Sequence, residues 1–214
     1  MGVSERKHRE KEQRKNNIIK AAKRLFKNKG FEETTMQMIA RQAELSKGAL
    51  YLYFRDKDEI IASILLEASK ALGGLLDEAI SLGKNAFDKI NRIIFAYLKF
   101  RRESPESYFF TLLLDYKPLF QLKPKNPELI EQMQYRTNML KDILRLGVED
   151  GTIRPDIDPA MTASVLAHLG TASMMQRVFL TDEYIKTVTP YNVEELTGNL
   201  VELISSALKN PAYS

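Results

Sequence analysis

Apolar residues recur at helical spacing along almost the whole chain, and no stretch shows the two-residue alternation of a half-buried β-strand. The first helical stretch covers residues 14–28, and its basic last turn is followed by Gly30, a usual place for a helix to end. One face of this stretch is apolar, while its lysines and arginines lie elsewhere. The apolar positions are Ile18, Ala22, Leu25 and Phe26. The pattern therefore predicts a first helix that ends shortly before Gly30.

Two short helical patterns joined by a tight turn follow the first helix. Thr34 and Gln37 have the spacing of a capping box, which predicts that the second helix begins at Thr34. Ser46 is a natural N-cap for a third helix over residues 47–54. A helix this short is only marginally stable in isolation. Gly48 in its first turn lowers the stability of the helix by roughly 1 kcal/mol relative to Ala. These features are typical of a helix-turn-helix whose second helix approaches a polyanion closely.

Six further helices are predicted downstream, and the predicted fold class is all-α. Prolines lie in the first turn of three of them, where proline is tolerated. No Gly-, Pro- or Ser-rich linker interrupts the chain, so the first of the six would lead directly into the larger domain and act as a lever. We divide the chain into a helix-turn-helix domain with a basic arm, residues 1–57, and an α-helical domain, residues 58–214. The predicted helices cover residues 56–82, 86–103, 105–121, 127–150, 159–180 and 193–209.

Positive charge is concentrated in the first quarter of the chain. Residues 1–60 carry 15 Lys and Arg against 9 Asp and Glu, a net charge of +6, whereas the remainder has 17 against 19, a net charge of −2. This distribution is expected of a surface that meets phosphates, although charge runs often only solvate a helix face. The arm at residues 5–15 has no apolar anchor, so we expect it to be mobile or to form a frayed extension of the first helix.

Several classes of protein are disfavoured by composition and motifs. Cysteine is absent, so disulfides, thiol nucleophiles and cysteine zinc sites are excluded. His168 has no second histidine near it. We therefore expect it to be a hydrogen-bonded side chain at an interface or at the edge of a pocket rather than a metal ligand. Apolar runs are far shorter than the roughly 20 residues that span a bilayer, and the start of the chain lacks the apolar core of a signal peptide. We expect a cytoplasmic protein with no membrane partner, metal or cofactor.

The segment SKGALYLYFRDKDEI and the residues before it resemble the DNA-binding domain of the TetR family of transcriptional regulators. The resemblance covers residues 14–60, about a quarter of the chain. It implies a three-helix DNA-binding domain joined by a long helix to an α-helical domain for ligand binding and dimerisation. The matching residues are Phe26, Gly30, Phe31, Thr34, Thr35, Ile39, Ala40, Ala43, Ser46, Gly48, Leu50, Tyr51, Tyr53, Phe54 and Lys57.

The resemblance also implies roles for individual residues at the DNA. Residues expected to contact phosphates are Thr35, Tyr51, Tyr53 and Lys57. Residues that lie where the family reads or approaches bases are Ser46, Lys47, Gly48 and Ala49. Thr34 completes the set of DNA-binding candidates. The rings of the two tyrosines are alternatively part of the core, because tyrosine often buries its ring and leaves its hydroxyl at the edge.

One residue in the turn departs from the family pattern. Family members commonly have glycine where this chain has Glu44. If the backbone keeps a left-handed conformation at this position, Glu costs on the order of 1 kcal/mol. Alternatively, the second helix runs slightly longer and the turn differs.

Two further sets of residues follow from the resemblance in the larger domain. The family's ligand pocket lies among the middle helices, which are rich in aromatic residues and methionine. Such residues at helical spacing more often belong to the hydrophobic core than to a pocket. The pocket candidates are Phe95, Phe109, Phe110, Leu113, Met133 and Met139. The last two predicted helices form the dimer interface in the family, although the rows of apolar residues along them could equally pack in the core of a single chain. The interface candidates are Val165, Leu169, Leu200, Leu203 and Ile204.

The function that these expectations favour is a homodimeric repressor. It would bind a palindromic DNA operator and be released by a small, hydrophobic ligand. The alternative is an effector-independent activator or architectural DNA-binding protein. An enzyme is disfavoured, because the sequence contains no phosphate loop, dinucleotide fingerprint or nucleophile elbow.

Overall fold

The computed structural model describes residues 3–113, 127–179 and 182–213, and every regular element in these ranges is a helix. The predicted all-α fold class is confirmed. The helices are α1 (Val3–Glu33), α2 (Met36–Gln42), α3 (Lys47–Tyr51), α4 (Lys57–Ser81), α5 (Ala86–Glu103), α6 (Pro105–Leu113), α7 (Pro127–Glu149), α8 (Pro159–Phe179), α9 (Asp182–Val188) and α10 (Val193–Leu208).

Helix starts agree with the predictions more closely than helix ends. The predicted starts of α5, α6, α7, α8 and α10 are confirmed to the residue. The predicted ends at residues 121 and 180 lie outside the described residues. The third helix ends at Tyr51 rather than Phe54, and the short helix α9 was not predicted.

The basic arm is an extension of α1. Helix α1 begins at Val3, so the second of the two expectations for residues 5–15 holds. Ion pairs such as Arg6 with Glu10, 2.9 Å apart at i,i+4 spacing, support this polar helix. Gly30 has φ 81° and ψ 168°, which breaks the helix where the sequence predicted a stop. Helical geometry then resumes for the three residues up to Glu33.

The chain forms two compact units, Met1–Glu67 and Ala68–Ser214. The boundary between them falls inside α4. The functional division at residue 57 stays a prediction. The first unit has its own core, to which α1, α2, α3 and the start of α4 contribute. Its fully or almost fully buried side chains include Ile18, Ala22, Phe26, Ile39, Leu50, Phe54, Ile60 and Ile64.

The second unit is built around an apolar cluster from α4, α5, α7 and α8. Phe100, the largest fully buried side chain of the cluster, packs edge to face against Tyr108, with ring centroids 6.4 Å apart. The segment after α7 crosses the end of α10, where Ile153 and Lys209 form an antiparallel bridge. This bridge brings the C-terminal end of α10 to the core, where Leu208 is buried. Within the described part of the chain, no helix has the length and apolarity of a membrane span.

Candidate nucleic-acid interface

Helices α2 and α3 are fixed by their buried faces. Ile39 and Ala40 bury the inner face of α2, and Leu50 buries the inner face of α3. Phe54, just beyond α3, is only 1% exposed and carries the chain back into the core. An isolated five-residue helix would be unstable. Its stability therefore comes from this packing, which leaves the opposite face of α3 available for a partner.

The N-cap of α2 is Thr35, not Thr34, so the predicted capping box is wrong. The hydroxyl of Thr35 accepts a hydrogen bond from the amide of Met38 at 3.2 Å. Thr34 is buried, and its hydroxyl donates to the Gly30 carbonyl at 2.7 Å. This bond ties the start of α2 to the break in α1. Because the Thr34 side chain has no access to a partner, we leave Thr34 out of the proposed DNA contacts.

The turn between α2 and α3 is a Schellman motif. The amide of Leu45 donates to the Ala40 carbonyl at 2.9 Å, and the amide of Glu44 donates to the Arg41 carbonyl at 3.1 Å. This pattern places a left-handed residue directly after the C-cap, and Glu44 has φ 57°. Of the two alternatives for this position, the left-handed backbone is the one observed. Glu44 therefore carries a conformational cost that glycine would not.

Replacing Glu44 with glycine is expected to stabilise the first unit. Removing the Cβ from a left-handed position should gain about 1 kcal/mol, which corresponds to a rise of about 2–4 °C in the midpoint of thermal unfolding. Circular dichroism during heating measures this midpoint. The matched control is Glu44→Ala, which removes the carboxylate but keeps the Cβ, and should leave the midpoint unchanged. Equal midpoints for the two variants would contradict the strain at this residue.

The exposed face of α3 carries one cation and one aromatic side chain. Ser46 caps the helix by accepting from the Ala49 amide at 3.1 Å, as predicted. The side chain of Tyr51 is 44% exposed, and the Lys47 amine lies 6.0 Å from the centroid of its ring. A Cβ added at Gly48 would meet no atom within 4 Å. No internal contact therefore requires glycine at this position, which is consistent with close approach of an external partner.

Lys57 has a structural role that the sequence did not reveal. Its amine donates to the carbonyls of Phe31 at 2.5 Å and Glu32 at 3.2 Å. The same amine lies 4.2 Å from the centroid of the Phe31 ring. These contacts tie the start of α4 to the end of α1, so Lys57 primarily holds the unit together. Two of its three N–H donors are used, which leaves at most one for a phosphate.

Tyr53 and the ring contacted by Lys15 both lie just after the end of α3. Tyr53 is half-buried, which agrees with the alternative that its ring belongs partly to the core. The Lys15 amine lies 5.7 Å from the centroid of the Phe54 ring. The basic extension of α1 therefore passes close to the end of the helix-turn-helix. No sequence pattern indicated this contact, because Lys15 and Phe54 are far apart in the chain.

Comparison with known proteins agrees with this geometry. Residues 18–64 match the family described as bacterial regulatory proteins, tetR family. YhgD of Bacillus subtilis (strain 168), an HTH-type transcriptional regulator, is 28% identical over 191 residues, which cover 89% of this chain and 93% of YhgD. The crystal structure of the TetR family transcriptional regulator PfmR from Thermus thermophilus is 28% identical, with a TM-score of 0.69 over 90% of this chain and 98% of PfmR. This chain belongs to the TetR family.

The fold similarity extends to a protein whose structure contains both operator DNA and a small molecule. The crystal structure of AibR in complex with isovaleryl coenzyme A and operator DNA has a TM-score of 0.71. The match covers 89% of this chain and 97% of AibR, at 15% sequence identity. At this identity, the similarity shows the fold alone. The α2–turn–α3 element of this TetR-family regulator is the family's DNA-binding helix-turn-helix.

The pocket candidates of this TetR-family regulator lie in different surroundings. Phe110 is fully buried against Phe109, with ring centroids 5.3 Å apart. Met139 packs against the core cluster, and Met133 is half-buried. Phe95, in contrast, is 61% exposed and lines a surface groove. The side chain of Leu113 lies outside the described residues. The pocket candidates therefore stay a prediction, and the exposed Phe95 does not lie with the buried Phe110.

The interface candidates are divided between surface and core. Val165, Leu169 and Leu203 are exposed although they are apolar, while Leu200 and Ile204 are half-buried. Ile204 packs against the core cluster of the second unit. His168, on the same helix as Val165, is exposed and its Nδ1 lies 2.7 Å from the Ser164 carbonyl oxygen. The role of the exposed residues in dimerisation stays a prediction.

Proposed function

We propose that this TetR-family regulator is a homodimeric repressor that binds a palindromic operator and is released by a small, hydrophobic ligand. The observation that carries the proposal is the helix-turn-helix itself. Its last helix is anchored by Leu50, capped by Ser46, and presents Lys47 and Tyr51 to solvent. Such a helix fits the major groove of DNA. The similarity to transcriptional regulators also argues against a catalytic role.

The proposed contacts combine base reading with backbone contacts. Lys47 and the backbone around Gly48 and Ala49 would approach base edges, and Tyr51 and Thr35 would contact phosphates. Few long polar side chains are available on α3. We therefore propose that specificity depends partly on DNA shape and on the spacing of two bound copies. The basic extension of α1 would add contacts to phosphates, which strengthen binding without reading sequence.

The proposed dimer follows from the apolar residues left on the surface of α8 and α10. Exposed leucine and valine side chains on two long helices are suited to burial against a second copy. Two copies related by a two-fold axis would present two identical recognition helices, which is the arrangement that reads a palindrome. Because α4 runs through the boundary between the two units, we propose that it carries the effect of ligand binding to the DNA-binding unit. We place the protein in the cytoplasm, where it would meet chromosomal DNA.

The effector proposal is supported by a structural relative. AibR, which shares the fold, is seen with an acyl-coenzyme A and operator DNA together. A ligand with an acyl chain agrees with the hydrophobic or amphipathic effector that we propose for this chain.

Selection of genomic DNA fragments by the purified protein tests the proposal. We expect enrichment of one inverted repeat, with affinity that falls steeply with salt because phosphate contacts release counterions. Sequencing of the bound fragments identifies the repeat, and fluorescence anisotropy measures its affinity. Enrichment of no sequence, at low and high salt, would contradict a specific operator-binding protein. A repeat bound equally well with every acyl ligand present would contradict release by such ligands.

A further inference from the structure

Leu52 is the most exposed large apolar side chain in the described part of the chain. It is 80% exposed, whereas the next, Leu203, is 67% exposed. Single exposed leucines are common on protein surfaces and need no explanation by themselves. Leu52, however, directly follows the last residue of α3, the second helix of the DNA-binding helix-turn-helix. Its direction on that helix therefore decides whether its exposure has a role.

The helical turn of α3 continues through Leu52. The backbone of Leu52 has φ −72° and ψ −18°, and its amide donates to the Ala49 carbonyl at 3.3 Å. Directions of side chains can therefore be compared at about 100° per residue up to Leu52. Leu50 marks the side of α3 that faces the core, because it is fully buried. Leu52 follows Leu50 by two residues, so it points about 200° away from that side.

Gly48 lies on the same exposed side of α3. It precedes Leu50 by two residues and Leu52 by four, so Gly48 and Leu52 are neighbours one turn apart, opposite the core. Lys47 and Tyr51 form a second pair of the same spacing beside them. Glycine has no side chain, so the backbone of α3 can come close to a partner at Gly48. Leu52 is then the side chain that projects from the middle of the exposed side.

The major groove determines which group such a side chain can contact. A helix with its side chains is about 10–12 Å across and the groove is about 12 Å wide, so residues opposite the core face the base edges. Leucine has no hydrogen-bonding group, and the apolar group that a base pair presents in this groove is the C5 methyl group of thymine. Against the acceptors of guanine, leucine would displace water without replacing its hydrogen bonds. The chemistry of Leu52 therefore favours thymine.

A second protein is a poorer occupant of this surface. Stable protein interfaces bury about 800 Å² on each partner around an apolar centre. The exposed side of α3 offers only Leu52 and the ring of Tyr51, next to the Lys47 amine. The same side belongs to the DNA-binding helix-turn-helix, so Leu52 is continuous with the surface that meets DNA.

We infer that Leu52 is a specificity-determining residue that reads one thymine in each half of the operator through its C5 methyl group. Gly48 allows the close approach that brings the leucine to the base edges. This inference rests on the proposed function, because it names a base that the proposed operator contains. It adds an apolar contact to the base contact of Lys47 and to the reading of DNA shape.

Replacement of thymine by deoxyuridine tests the contact at a single group. Uracil lacks only the C5 methyl group and keeps the hydrogen-bonding groups of thymine and its pairing with adenine. The probes are the inverted repeat selected from genomic DNA and copies of it with one thymine in each half replaced, one symmetric pair at a time. Fluorescence anisotropy should show a rise of about tenfold in the dissociation constant for one such pair, because a buried methyl group contributes about a factor of four in each half. Unchanged affinity for every uracil-containing copy would overturn the inference.

The variant Leu52→Ala tests whether Leu52 makes this contact. It should bind the unmodified repeat about tenfold more weakly, and the uracil replacement that affects the wild type should change its affinity less than about twofold. Folding should be unchanged because the side chain is exposed. The matched control is Leu82→Ala, at a leucine that is 59% exposed in the second unit, and it should respond to uracil as the wild type does. A uracil effect of the same size in Leu52→Ala as in the wild type would assign the methyl contact to another residue and overturn the inference.

Salt dependence and binding to unrelated DNA separate base reading from a contact to the DNA backbone. Leu52 has no charge, so the slope of operator affinity against salt concentration should be the same in Leu52→Ala and the wild type. Both proteins should also bind a duplex of scrambled operator sequence equally well. An equal loss of affinity on the operator and on the scrambled duplex would place Leu52 against the sugar–phosphate backbone and overturn its role in specificity.

The same measurements separate this inference from the proposed function. If genomic selection yields no repeat, the proposed function and the role of Leu52 fail together. If a repeat is selected and bound tightly, but neither uracil nor Leu52→Ala changes its affinity, operator binding stands and only the role of Leu52 is wrong.

Discussion

Replacing both Lys47 and Tyr51 with alanine is expected to abolish specific operator binding. Neither side chain contributes to the buried core, so the fold and the oligomeric state should be unchanged. A well-placed contact to a base contributes about 1–3 kcal/mol, so the Lys47 single variant should lose about tenfold or more in affinity. The Tyr51 single variant loses the proposed phosphate contact, which weakens binding to every DNA sequence alike. The two side chains are also 6.0 Å apart, measured from the Lys47 amine to the Tyr51 ring centroid, so their losses need not add.

Fluorescence anisotropy with the selected operator measures these losses. Lys186→Ala and Tyr191→Ala are matched controls, because they remove the same chemical groups from exposed positions in the second unit. Both controls should bind like the wild type. Wild-type affinity in the Lys47 and Tyr51 double variant would mean that α3 does not read DNA, and the whole assignment of the helix-turn-helix contacts would be wrong.

Replacing Leu203 with glutamate is expected to convert the proposed dimer into monomers. Leu203 is 67% exposed in the single chain, so the substitution should not disturb folding. Burial of an unpaired carboxylate in an interface costs several kcal/mol, which raises the dimer dissociation constant at least about a hundredfold. Operator affinity should fall with it, because a single copy contacts only one half of a palindrome.

Sedimentation velocity at micromolar concentration measures the oligomeric state. The matched control is Val188→Glu, which places the same carboxylate at a residue that is 66% exposed on α9, outside the proposed interface. This control should stay dimeric. A dimeric Leu203→Glu variant with full operator affinity would place the interface on another surface.

The helical fold could be predicted because local signals mark most helix starts. Prolines and capping residues such as Ser46 and Asn85 lie where helices begin. The extension of α1 to Val3 was harder to predict, because that segment is polar on every side and has no apolar periodicity. Its support comes from pairs such as Arg6 with Glu10 along the same helix. The early end of α3 was missed because Phe54 follows the buried Leu50 by four residues, which is helical spacing, although the helix ends at Tyr51.

The site was predictable in outline but not in its internal contacts. Two adjacent threonines fit the start of α2, and only burial separates Thr34, which bonds to Gly30, from the N-cap Thr35. Lys57 looked like a phosphate contact, yet its carbonyl partners Phe31 and Glu32 lie more than twenty residues earlier. Sequence spacing carries no information about such distant pairs.

The exposure of Phe95 was missed for a related reason. Phe95 was assigned to an interior pocket because it belongs to an aromatic-rich segment, but aromatic content does not tell the buried face of a helix from the exposed one. The usable signal was the spacing of Phe95, Lys99 and Arg102, which places an aromatic ring and two cations on one face. An aromatic residue that shares a helix face with two cations is more often exposed than buried, as Phe95 is.

Hydroxyl-radical footprinting of the wild-type protein on its selected operator tests most directly whether two copies read DNA through α3. We expect two protected segments, related by two-fold symmetry and centred about one helical turn of DNA apart or a multiple of it. Both protections should disappear together in the Leu203→Glu variant. A single unsymmetrical protected segment, or protection that survives in the Lys47 and Tyr51 double variant, would contradict a paired helix-turn-helix that reads DNA through α3.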